Sequence, residues 1–480
     1  MHSIGKNFLY NAAYQILLIL LPLITTPYIS RVLGADRIGI YTYTYTVVNY
    51  FVLIAMLGVK NYGNRSVAAV RDDPEALSRT FWEIYGLQFL CSLLALVAYL
   101  AFVFFFETEN RVILIIQSIY LFAGMLDISW LFFGLEQFKV TVLRNIALKL
   151  LTLVCIFVFV RTQADLWKYA FVVSFGTLLS QSYLWLYLRR HVTWQRPALS
   201  RIFSHLRAEL ILFIPVIAVS LYKMMDKIML KELATYTQVG YYESAEKILN
   251  IPTGVITALG TVMLPRMSNL AAKAKTQESK RYIYNSMLFA IFLASGMMFG
   301  IAGIAEDFVP LFLGDAYLPC IGLLQALSAT VLFISWANVI RTQYLIPNHR
   351  DRSYIISVLL GAAINLVLNA LLIPRMEAMG AVVGTLCAEA AVCISQTLMV
   401  RKDLEIGRYL KATFPFLLMG AGMLLLIRQL RGLFPSPVMT VVLQIAVGIC
   451  VYAAACGICL SISHKELFHS LFHKFIPKKR

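Results

Sequence analysis

The chain has 480 residues, 60% of them hydrophobic and only 14% charged, and its mean hydropathy is +0.74. A water-soluble fold cannot hide that much apolar surface, and no stretch is long and polar enough for a separate soluble domain. The formal charge of +17 then speaks for membrane orientation and headgroup attraction, not for nucleic-acid binding.

Apolar runs long enough to cross a bilayer, ~20 residues each, recur along the whole chain, and β-barrel alternation is absent. Expected spans lie near 8–30, 38–62, 81–105, 112–135, 140–160, 167–188 and 208–231. They continue near 237–262, 283–305, 317–346, 353–373, 379–400, 411–428 and 437–462. The fold class is an all-α polytopic membrane protein with fourteen transmembrane helices. The first run holds Pro22 and Pro27 and lacks a small-residue cleavage site, so it is expected to stay as helix one. Most of the 42 Lys and Arg fall in alternate connections counted from the N-terminus, which puts both termini in the cytoplasm.

An internal repeat organises the chain. One offset carries Gly39, Tyr41, Asn49 and Arg65 onto Gly240, Tyr242, Asn250 and Arg266. A slightly longer one carries Ile128-Ser129-Trp130, Gln137 and Arg144 onto Ile334-Ser335-Trp336, Gln343 and Arg350. Two six-helix bundles related by a parallel repeat are expected at 1–190 and 208–403, joined by a basic cytoplasmic linker at 191–207. Because six is even, both halves enter the membrane in the same direction, with the substrate path expected between them. Two appended helices follow at 404–463, then a basic amphipathic tail at 464–480. His469 and His473 in that tail have helical ligand spacing but no third ligand, so no metal site is expected. Seven of the eight cysteines, Cys456 and Cys459 included, sit in or at the ends of apolar spans and read as small packing residues.

Motifs for catalysis or for cofactor binding are missing: no glycine-rich phosphate loop, no HExxH, no acid pair in a polar loop. What remains is charge at membrane depth, which is costly and therefore marks function or a helix–helix lock. The stretch from Ser220 to Asn250 reads as two helix arms around a turn near Ala234–Thr237. Lys223, Asp226 and Lys227 share a face of the first arm, and Glu243, Glu246 and Lys247 share one of the second. Lys60, Lys149, Lys223, Lys227, Lys247 and Arg341 are candidate cavity cations, suited to phosphate oxygens. Asn49, Asn250, Asn365 and Asn369 are candidates for sugar hydroxyls, or glue between helices. Asp127, Asp226, Glu243, Glu246 and Glu389 are candidates for coupling to H⁺ or Na⁺. Arg65 and Arg266, equivalent in the repeat, are expected as lipid anchors or a cytoplasmic gate.

Asn11, Tyr14, Pro22 and Pro27, followed by LGADRIGIYTYTYTVVNYF at Leu33–Phe51 and GVKNYGNRSVAAVRDD at Gly58–Asp73, make the chain similar to a known family. DKIMLKELATYTQVGYYESAEKI at Asp226–Ile248, VMLPRMS at Val262–Ser268 and the stretch Ile364–Glu389 extend the match. The chain resembles the Wzx-type polysaccharide flippases of the multidrug/oligosaccharidyl-lipid/polysaccharide exporter superfamily. The resemblance implies a multi-pass protein of the bacterial cytoplasmic (inner) membrane, and not an enzyme. It implies translocation of an undecaprenyl-diphosphate-linked oligosaccharide by alternating access, for capsule, exopolysaccharide, O-antigen or teichoic-type glycan. A polysaccharide polymerase and chain-length machinery are the implied partners beside membrane lipids. Other readings on the same fold are an ion-coupled exporter of drugs or organic cations and a lipid II flippase. A membrane-bound glycan polymerase or transferase is the reading from another class.

Overall fold

The computed structural model describes residues 2–107 and 109–463, so the expected amphipathic tail, with His469 and His473, lies outside the described residues. Among them the chain forms helices and no strand, as hydrocarbon demands of a backbone that must satisfy its own polar groups. The first helices are α1 (His2–Met56), α2 (Val59–Val70), α3 (Pro74–Phe105), α4 (Arg111–Gln117), α5 (Ile119–Met125) and α6 (Ser129–Gly134). Next come α7 (Phe138–Phe159), α8 (Leu166–Leu188), α9 (Leu199–Ser204), α10 (Leu206–Leu233), α11 (Tyr236–Ala272) and α12 (Thr276–Phe312). The last are α13 (Cys320–Ser328), α14 (Thr330–Ile340), α15 (Asp351–Met376), α16 (Ala378–Val400), α17 (Ile406–Gln429) and α18 (Pro437–Ser463).

Twelve helical stretches among the described residues are long and apolar enough to cross a membrane. One of them, Leu20–Val70, takes in the end of the first expected span and the whole of the second, because α1 is two helical arms that meet at a kink where Gly34 leaves the helical conformation. Gly34 holds φ 78°, a conformation that a side chain would strain. With α10 over the expected 208–231, each of the fourteen expected spans has its helix. Two of them are broken: 112–135 into α4, α5 and α6, and 317–346 into α13, α14 and a π-helical turn at Arg341–Leu345. Large apolar side chains such as Leu94, Phe105 and Leu186 stay exposed, the pattern of helix faces that meet lipid instead of water.

Packing divides the chain into two compact units, Met1–Gly240 and Tyr241–Arg480. In the first, α1 lies against α3, α5, α7 and α10, and α2 against α3 and α6. One core gathers Phe81, Ile84, Trp130 and Leu184, another Val48, Tyr99, Leu114 and Leu121. The segment before α9 belongs to this unit, and so does α10. In the second unit α15 packs along α16, and α12 lies against α14, α17 and α18 around Met287, Ile291, Ile340 and Phe416.

The repeat-related glycines meet within the first unit. A Cβ on Gly39 would lie 1.7 Å from the carbonyl oxygen of Tyr236, and one on Gly240 would lie 1.9 Å from that of Ala35. Backbone thus touches backbone where α1 passes the start of α11. The Thr237 hydroxyl donates to Asp36 at 3.5 Å beside the crossing. Gly39→Ala and Gly240→Ala should each force the two helices apart and cost about 3 kcal/mol, the scale of an overpacked core. Gly422→Ala, where a Cβ would meet nothing within 4 Å, should leave the melting temperature in detergent unchanged or slightly raised.

Candidate functional site

The site grows from the break between α5 and α6. Residues 126–128 leave the helix inside an expected membrane span, and the freed carbonyls need donors. Gln88 of α3, fully buried, supplies two: its Nε2 donates to the Gly124 oxygen at 2.8 Å and to the Asp127 oxygen at 3.0 Å. Trp185 Nε1 donates to the Leu126 oxygen at 3.0 Å. Trp130 Nε1 in turn donates to Gln88 Oε1 at 3.0 Å. The break frees the Asp127 side chain to act as a cap, and its Oδ1 accepts from the Ser129 amide at 3.0 Å.

Asp127 opens onto a cavity of 490 Å³ within the first unit, whose polar lining includes Lys60, Arg144, Asn145, Lys149 and Ser180. This is the size of a small-molecule site, typically ~300–1,000 Å³. Lys60 Nζ lies 3.5 Å from Asp127 Oδ2. The Lys60 side chain is 66% exposed and that of Asp127 only 5%. A pair with one open partner is worth at most about 1 kcal/mol, so Lys60 can turn to another anion at little cost. Arg144 is buried, and its Nε and Nη2 donate to Asn145 Oδ1 at 3.2 and 2.8 Å. Ser180 Oγ donates to the same oxygen at 3.1 Å. Among the described lining residues, three cations against one carboxylate leave the cavity electropositive. Such a surface takes an anion with several acceptor oxygens, phosphate above all.

Of the expected site residues, the fold gathers Lys60, Asp127 and Lys149 here. The turn at Ala234–Thr235 separates α10 from α11 as the charge pattern suggests. Asp226 is buried, and it and Lys227 are within electrostatic reach of Tyr50, while Lys223 is exposed. Those three belong to the first unit, and Glu243, Glu246 and Lys247 to the second. Lys247 Nζ pairs with Glu243 Oε1 at 3.2 Å along α11; Glu246 is half-buried and Asn250 exposed. Arg341 donates to Asn338 Oδ1 at 2.8 Å and lies over the Tyr354 ring. Asn369 Nδ2 donates to Asn365 Oδ1 at 3.2 Å, both side chains buried. Glu389 sits beside Cys393, and Asn49 is half-buried on α1. Arg266 lies over the Tyr282 ring and donates to its hydroxyl, and Arg65 is exposed on α2.

The residues that the sequence missed are Arg144 and Gln88. Arg144 lies inside the expected span 140–160 and in the repeat, where it matches Arg350. Its place inside an apolar span was the available signal, since a guanidinium at membrane depth is costly. Gln88 carries no pattern of its own.

Residues 4–271 match the family model described as polysaccharide biosynthesis protein. The chain belongs to the polysaccharide biosynthesis protein family. Among relatives, a protein of Escherichia coli strain K12 named as an O-antigen transporter is 23% identical over 84% of this chain and 97% of its own. A protein of Haloferax volcanii named as a low-salt glycan biosynthesis flippase, Agl15, is 24% identical over 34% of each chain. Among solved structures, lipid II flippase MurJ in an inward closed conformation superposes with a TM-score of 0.76. It is 14% identical and covers 95% of this chain and 99% of its own, a likeness of fold.

Gln88→Leu should leave two carbonyls and one indole N–H of this family member without partners in a dry interior. At about 1–2 kcal/mol for each lost bond, unfolding in detergent should be easier by about 3 kcal/mol or more. Thermal denaturation followed by circular dichroism measures it.

Proposed function

We propose that the protein is a flippase that carries a polyprenyl-diphosphate-linked oligosaccharide across the cytoplasmic membrane for surface polysaccharide synthesis. The observation that carries this reading is the electropositive cavity within expected membrane spans, whose described lining holds Lys60, Arg144 and Lys149 with Asp127. A diphosphate must shed water to cross the hydrocarbon, and fixed cations replace that hydration. Arg144 would hold phosphate oxygens in a planar fork, its orientation set by Asn145 and Ser180. Lys60 would exchange Asp127 for the incoming phosphate and return to it on release. The lipid tail would stay in the bilayer while the polar head moves.

The relatives named as transporters and flippases support transport over covalent chemistry. Basic residues weighted to one side favour cytoplasmic termini. Asp127, buried and freed by the lysine when substrate binds, is the leading candidate for coupling to a proton or Na⁺. Asp226, Glu243, Glu246 and Glu389 are the further candidates. The likeness to MurJ concerns the fold and does not favour lipid II as the cargo.

In cells lacking the native protein, Arg144→Ala and Lys149→Ala should each reduce surface polysaccharide about tenfold or more, the loss of one charge-assisted contact. The lipid-linked oligosaccharide should accumulate on the cytoplasmic side, with normal amounts of protein in the membrane. Normal surface glycan in the double variant would defeat the cavity reading. Resistance to cationic dyes that depends on the protein, with an unchanged lipid-linked pool, would move the substrate to another class.

A further inference from the structure

The segment between α8 and α9 is strapped onto α3 rather than hanging free. The Thr193 amide donates to Ser78 Oγ at 3.1 Å, and Trp82 Nε1 donates to the Thr193 oxygen at 2.9 Å. Val192 and Ile202 bury their side chains on either side. His205 Nε2 and Arg201 Nη1 reach the two oxygens of Glu83 at 3.2 and 3.5 Å. These ties wall a second cavity, of 320 Å³, whose lining includes Arg79, Trp82, Glu83, Arg196 and Arg201. Glu83 is already engaged by Arg201 and His205, whereas Arg79 and Arg196 make no ion pair among the described residues.

We propose that this cavity is a phosphate-binding site, separate from the transport cavity, that takes a phosphate group of net negative charge, carried by an anionic membrane lipid or by a soluble phosphate. Guanidinium groups from two chain segments converge on one space, which suits an anion with oxygens on several sides. Arg79 and Trp82 stand at the start of α3, before or at the edge of its apolar run, and Trp82 packs edge-on against the exposed Trp194 at 4.3 Å. Indoles with arginines at a span border mark the depth of lipid headgroups. The pocket is held by hydrogen bonds that do not involve Arg79 or Arg196, so it stands ready without a ligand. This inference does not depend on the identity of the transported substrate.

The full chain in nanodiscs of phosphatidylcholine, with and without phosphatidylglycerol, provides the test, and inorganic diphosphate added to the pure phosphatidylcholine discs is the soluble arm. Native mass spectrometry counts retained phosphatidylglycerol, and melting temperature reports binding of either probe. The wild type should bind at least one probe, and R79Q/R196Q should bind it about tenfold more weakly or less. Both proteins should melt alike in pure phosphatidylcholine, because neither arginine is buried or ion-paired. R79K/R196K, which keeps charge but loses the fork, should fall between them. Binding of phosphatidylglycerol alone names a lipid as the source, and binding of diphosphate alone names a soluble phosphate. Equal binding by the wild type and R79Q/R196Q, or no binding of either probe to the wild type, overturns the proposal.

Discussion

Gln88 donates to two carbonyls and accepts from one indole, and these three hydrogen bonds let a membrane helix break within the first unit. In hydrocarbon a broken helix is tolerated only where other groups take over the freed backbone. Without the amide the Gly124 and Asp127 carbonyls would lose their donor, and the break that lets Asp127 accept from the Ser129 amide would become costly. Asp127 in turn is what allows Lys60 to face the cavity at rest without an unbalanced charge. The electropositive site therefore rests on a neutral side chain that never touches it, and the cavity is as much a product of backbone accounting as of its own lysines.

The same logic explains why the two copies of the repeat have drifted apart where they did. At Gly39 and Gly240 the constraint is steric, since any side chain would collide with backbone, and both glycines remain. At Ile128-Ser129-Trp130 and Ile334-Ser335-Trp336 the residues remain but their surroundings differ. In the second unit Ser335 and Trp336 lie inside α14, and Trp336 Nε1 donates to Thr397 Oγ1 at 2.8 Å. Neither repeat offset puts a glutamine opposite Gln88: the positions hold Phe289 and Ala294. Lacking that donor, the second copy stays helical here and takes its irregularity later, as the π-helical turn at Arg341–Leu345. Arg350, the match of Arg144, is likewise spent on an ion pair with Asp403 at 2.7 Å.

The helices were legible in the sequence because length and hydropathy alone determine what can cross a bilayer. The break at residues 126–128 was not, since its freed carbonyls find donors far away in the chain, on Gln88 and Trp185. Lys60, Lys149 and Asp127 could be picked out as costly charges, yet nothing in their spacing says that three different helices or loops bring them to one space. Arg144 escaped notice because a lone arginine near the start of an apolar run looks like a side chain reaching for the membrane border. The strapped segment before α9 reads as a polar linker, for its apolar anchors, Val192 and Ile202, are few and widely spaced.

The two electropositive pockets of the first unit differ in a way that bears on what each can do. Arg144 is 6% exposed and held by a neutral amide, so its desolvation has been met in folding and its charge is little screened. An anion entering there loses its own water but meets a nearly full electrostatic field, which suits a head group that must cross and leave. Arg79 and Arg196 are exposed, and salt within a Debye length of ~8 Å at physiological strength weakens them. Their attraction is cheap to form and cheap to break, and it favours a ligand already concentrated nearby, as headgroup phosphates are at a membrane surface. Burial, more than the number of cations, separates the proposed transport cavity from the proposed phosphate site at the strapped segment.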